Sequence, residues 1–98
     1  MDFPEFQGQL SELKIPADVI NLVSKTLRVS RNIMPVEFDK ENGSLTLVTS
    51  NFPDNFAEYA IILKLINEEA PDVRSISLLA CDYDNFSTGY SVIYGEPF

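Results

Sequence analysis

Two runs of alternating apolar residues flank Asn42-Gly43 near the middle of this 98-residue chain, a pattern that specifies a β-hairpin. Met34, Val36 and Phe38 alternate with Pro35, Glu37 and Asp39. On the far side Leu45, Leu47 and Thr49 alternate with Thr46 and Val48. Asn-Gly readily takes the positive φ of a tight turn, so Lys40 to Ser44 reads as the connection. The elements around the hairpin follow from it. Ile15-Pro16-Ala17-Asp18 opens a helix, with Pro at its first position and an acid in its first turn. Val19, Ile20, Val23 and Leu27 then recur at helical spacing, which predicts one helix over about 16–29.

After the hairpin, Ser50 to Pro53 breaks the strand, and Asp54 or Asn55 can cap a second helix running to about Glu69 before Ala70-Pro71. Val73 to Cys81 reads as a third strand, with Ile76, Leu78 and Ala80 opposing Ser75 and Ser77. From Tyr83, the residues Phe86, Tyr90, Ile93 and Tyr94 fall at helical spacing; Gly89 weakens that helix and Gly95 ends it. Residues 1–14 read as an arm with one helical turn near Gln9–Leu13, and 15–98 as a single α/β domain. The order α-β-β-α-β-α predicts a two-layer sandwich with a three-stranded mixed sheet in the spatial order 2-1-3. Its helices all lie on one face, and Glu37, Thr46, Ser75 and Ser77 line the other.

Composition narrows the function. With 45% apolar and 22% charged residues the chain is a folding globule and not an acidic tail, and its length suffices for one modest core. There is no His, which removes the commonest general base and zinc ligand, and a single Cys cannot form an internal disulfide. Four acids balance four bases through Pro35; beyond it three bases face eleven acids, so all of the net charge of −8 lies in the second part. That field opposes nucleic acid and anionic membranes as main partners. No apolar stretch approaches the roughly 20 residues that span a bilayer, the acidic start is unlike an export signal, and a lone thiol suits a reducing cytoplasm.

Catalytic patterns fail one by one. The glycines at 8, 43, 89 and 95 are isolated and form no phosphate loop, and no Ser/His/Asp set is possible. Asp82-Tyr83-Asp84-Asn85 begins like a calcium loop but meets Phe86 and Ile93 where ligands are required. Glu68-Glu69 reads as a solvated helix end, and Cys81 as a small core residue whose thiol the following acids hold up. The expectation is a non-enzyme without cofactor or metal.

The succession Ile15-Pro16, Met34-Pro35-Val36, Leu45 through Asp54 with its Ser50-Asn51-Phe52-Pro53-Asp54 turn, and Ile93-Tyr94-Gly95 resembles the N-terminal domain of the type II secretion and type IV pilus assembly ATPases. The resemblance spans roughly 15–95. It implies a mixed α/β fold and a cytoplasmic docking role, with the cytoplasmic part of an inner-membrane platform protein as partner. The ATPase motor is missing from these 98 residues, and the R-L-G motif through which some family members bind cyclic di-GMP does not occur. For want of that motif, and against a net charge of −8, cyclic di-GMP is not expected to bind; a cyclic-dinucleotide sensor using Lys25, Arg28 and Arg31 is nonetheless the second reading, and a small acidic secretion chaperone the third.

A docking surface is expected on the second helix. At roughly 100° per residue, Phe56, Tyr59, Ala60, Ile62, Leu63 and Ile66 form one arc toward the core. Ile61 and Leu65 fall on the opposite side, flanked by Lys64 with Glu68 and by Glu58 with Glu69, the anatomy of an interface centre. Burial of this pair beneath the closing helix is the alternative.

Overall fold

The computed structural model describes residues 4–53 and 55–98. Asp54, one of the two expected caps, lies outside the described residues, as do the first three residues of the arm. A 3₁₀ turn at Leu10–Glu12 precedes α1 (Ala17–Ile20), α2 (Lys25–Arg31), β1 (Ile33–Asp39), β2 (Ser44–Thr49), α3 (Phe56–Glu69), β3 (Ser75–Ala80) and α4 (Tyr83–Tyr94). These form a small α+β domain around a three-stranded mixed sheet.

The hairpin forms as its sequence dictates. Gly43 takes φ +65°, and Asp39 accepts hydrogen bonds through Oδ1 from the Glu41 and Asn42 amides and through Oδ2 from the Asn42 side chain. The Asn42 side-chain bond leads in holding the Asp39 carboxyl below its ordinary pKa. The expected helix over 16–29 is instead two, because Ser24 caps a fresh start by accepting from the Leu27 amide. Asn32 ends α2 with φ 54°, a left-handed conformation that Asn tolerates. Asn55 caps α3, accepting from the Glu58 amide, and Asp82 caps α4, accepting from the Asn85 amide.

The strand order is β1-β2-β3, not 2-1-3. β2 pairs antiparallel with β1 and parallel with β3, which places β2 at the centre. Pro35 gives the physical reason: it has no N–H to donate, so the strand that carries it belongs at an edge. The helices, too, occupy both faces and not one. Val23, Leu27, Ile33, Leu45, Leu47, Ile62, Ile66, Val73, Ile76 and Leu78 form the main core beneath α2 and α3. On the opposite face Leu10, Met34, Val48, Phe86 and Tyr90 form a second core beneath α4 and the 3₁₀ turn. The polar sheet face is thus confined to the end carrying exposed Glu37, Ser75 and Ser77.

A β-bulge between Pro35 and Glu37 explains how one strand feeds both cores. Val36 is the extra residue opposite β2. Met34 and Val36 accordingly face the second core while Phe38, which simple alternation would place beside them, packs against the main one. The arm is part of the fold. Phe6 donates its amide to Ala80 O (2.8 Å), Ala80 donates its own to Pro4 O (2.7 Å), and Leu10 is fully buried.

Gly89, the weak point of α4 by sequence, is where Leu10 sits. A Cβ there would stand 2.6 Å from the Leu10 Cβ, closer than packed carbons can approach. Gly89→Ala is expected to cost about 1–3 kcal/mol by overpacking, whereas Thr88→Ala, one residue away on the exposed side, stays within about 0.5 kcal/mol. Urea unfolding of the two variants checks this. Equal midpoints would mean that Leu10 does not occupy that space.

Candidate functional site

Helix α3 carries the most exposed large apolar side chain among the described residues, Phe56. Its buried stripe is centred on Ile62 and Ile66, with Tyr59, Leu63 and Leu65 half-buried beside them. The helix is therefore rotated from the expected arc. Phe56 and Ala60, expected inward, face solvent, and Phe56 is 81% exposed. Leu65, expected outward, packs against the main core. Ile61 is 43% exposed, and α4 does not cover it, because α4 lies on the opposite face of the sheet. The exposed strip is thus Phe56, Ala57, Ala60 and Ile61, followed toward the C-terminal end by exposed Lys64 and Glu68.

Each neighbour of the strip has a local cause. The Phe56 and Tyr59 rings stack with centroids 6.0 Å apart, and the Tyr59 hydroxyl donates to the Ile76 carbonyl of β3. Burial pushes the Tyr59 pKa up. Glu58 meets Arg31 at 2.5 Å, which ties the start of α3 to the end of α2 above an open cleft of about 340 Å³ lined by Asn51, Phe52 and Asn55. Glu69 turns away from the strip and accepts from the Ser24 amide and hydroxyl, where its charge suits the N-terminal end of α2. Of the residues expected to form the docking surface, Ile61, Lys64 and Glu68 stand together in solvent. Glu58 is engaged by Arg31 and Leu65 is turned inward. Phe56 was not separable by sequence from the inward arc, because helical spacing places it within that arc, between Leu63 and Ala60.

The strand edges are poor docking sites by comparison. On the outer side of β3 the arm occupies the Ala80 amide and carbonyl and Tyr59 the Ile76 carbonyl, leaving a gap around Leu78. β1, the other edge, carries Pro35 and the bulge. The sheet face around Val48 and Leu79 is closed to a partner as well, since both lie under α4 in the second core.

The basic cluster is differently engaged. Arg28 is only 8% exposed: its Nη1 donates to Val23 O (2.6 Å), its Nε to the Tyr90 hydroxyl (3.1 Å), and its guanidinium carbon lies 3.9 Å from the centre of the Tyr94 ring. Glu96 stands 3.8 Å from Arg28 Nη2 and 3.3 Å from Lys25 Nζ. This arrangement joins α2 to the end of α4. With Arg31 on Glu58, neither arginine is presented to a phosphate. Cys81 is half-buried, and burial, followed by the Asp82 charge, raises its thiol pKa, the opposite of a reactive cysteine. Among the described residues no three His, Cys, Asp or Glu side chains gather as a metal site, and no helix is long and apolar enough to cross a membrane.

Arg28→Ala is expected to cost about 3 kcal/mol, since it takes the donor from the buried Val23 carbonyl and the buried cation from between Tyr90, Tyr94 and Glu96, while Lys25→Ala costs less than about 0.5 kcal/mol. Urea unfolding separates them. Tyr94 donates its hydroxyl to Ile20 O, and burial, only partly opposed by Arg28, pushes its pKa up to about 12. A phenol whose folded pKa lies above its ordinary value stabilises the fold below that ordinary value, and the contribution is lost as pH rises toward about 12. Tyr94→Phe is expected to flatten the stability loss across that alkaline window, read as melting temperature against pH.

No protein-family model, curated protein or solved structure matches the chain, so the surface of α3 stands as the site on its geometry alone.

Proposed function

We propose that this protein is a non-catalytic docking module whose binding surface is the exposed strip of α3. The observation that carries the reading is Phe56, an aromatic residue 81% exposed at the head of a strip completed by Ile61. Leaving such a ring in water forgoes on the order of 2 kcal/mol of burial, which a partner recovers. Aromatic anchors are the residues from which interface hot spots are most often built. Pro35 and the bulge on β1, and the partial cover of β3 by the arm and Tyr59, favour a helical surface over strand addition. The resemblance to the N-terminal domain of secretion and pilus assembly ATPases supplies the setting: a cytoplasmic assembly in which the partner is a protein, of the kind represented by the cytoplasmic part of an inner-membrane platform protein.

The cyclic-dinucleotide reading has less behind it, because Arg28 and Arg31 already have partners within the fold.

Phe56→Ser combined with Ile61→Ser is expected to change folding stability by less than about 1 kcal/mol, because both side chains are largely solvated. The double variant should lose at least about ten-fold in affinity for a partner captured by the unmodified protein, measured by titration calorimetry, the loss expected when one anchor is removed. Undiminished affinity in a folded variant overturns the reading. Cyclic di-GMP is expected to leave the melting temperature unchanged.

A further inference from the structure

Helix α3 ends against its own electrostatics. A helix C-terminus carries a partial negative charge that favours Lys or Arg in the last turn, yet this 14-residue helix places Glu68 and Glu69 there and no base, with Lys64 one turn earlier on the same face and not paired to Glu68. Glu69 is accounted for by its contacts at the start of α2. Glu68 is exposed and makes no hydrogen bond or ion pair among the described residues. It lies on the same solvent side as Ile61, seven residues or about 10 Å along the axis, and twelve residues or about 18 Å from Phe56. Local conflicts of this kind between sequence and element concentrate at functional or strained sites.

Resting on the docking reading, we infer that the partner of α3 is an amphipathic helix laid antiparallel to it. The partner's apolar face rests on Phe56 and Ile61, and a Lys or Arg in its first turns meets Glu68. Ala57 and Ala60 lie between Phe56 and Ile61 on the exposed side and let a second helix approach at the usual 8–10 Å. The antiparallel direction sets the partner's positive N-terminal end beside Glu68 and the negative end of α3. The protein's net charge of −8 steers a basic partner and repels a second copy of the same chain.

The test uses three synthetic 18-residue helical peptides with one identical Leu/Ala face: one with two Lys in its first turn, one with the same Lys in its last turn, and one with Glu in its first turn. Affinities for the full chain are read by fluorescence anisotropy. The peptide with Lys in the first turn is expected to bind about five-fold or more tightly than the other two, the ratio that one well-placed exposed ion pair supplies. Glu68→Gln is expected to erase that advantage, while Glu41→Gln, on the hairpin turn, keeps it. Equal affinities for the two Lys peptides, a preference that survives Glu68→Gln, or concentration-dependent self-association in sedimentation each overturn the inference. Binding that Phe56→Ser with Ile61→Ser does not weaken overturns instead the docking reading on which it rests.

Discussion

Every layer of this domain is built against β2. Leu45 and Leu47 project into the main core, Val48 into the second, and the backbone between them pairs with β1 on one side and β3 on the other. A central strand with apolar groups on both faces must be covered twice. That requirement explains why a chain of this size divides its aliphatic and aromatic residues between two cores. The Ser24 break and the Val36 bulge follow from the same demand. The first lets α2 reach back over the main core, and the second turns β1 so that Met34 and Phe38 serve opposite faces.

The hairpin, α3, β3 and α4 were all legible in the sequence, because each announces itself through near neighbours: Asn42-Gly43, Asn55, Ala70-Pro71, and Gly95 after an aromatic stripe. The position of Pro35 was also legible, though its consequence for strand order was outweighed by the expected crossover path. What could not be read is what depends on partners far along the chain. Gly89 is a poor helix residue until Leu10 is known to occupy its missing side chain. Arg28 looks like a solvated helix end until Tyr90, Tyr94 and Glu96 close around it.

The candidate site was half legible for a similar reason. Helical spacing identified α3 and singled out Ile61, Lys64 and Glu68, but an arc of apolar residues wider than the helix can bury leaves its rotation open. Tertiary contacts settle that rotation: the Tyr59 hydroxyl on the Ile76 carbonyl and the Arg31 charge on Glu58 hold the helix with Ile62 and Ile66 inward, which leaves Phe56 outside. The exposed ring is thus a consequence of two polar contacts.

The contact between Leu10 and the α4 backbone also bears on how the chain reaches this structure. The hydrogen bond from the Leu10 amide to Asn85 closes a loop of 75 residues, and the hairpin and the β2–α3–β3 segment both lie within it. A closure of that span carries a large entropic cost and repays it only once the enclosed elements are in place. The main core can therefore assemble from contacts within the middle of the chain, whereas the second core waits for two distant segments to meet across a sheet that already exists. On this loop-closure argument the face under α4 is expected to form later than the other and to open earlier, which amide hydrogen exchange would read as weaker protection there.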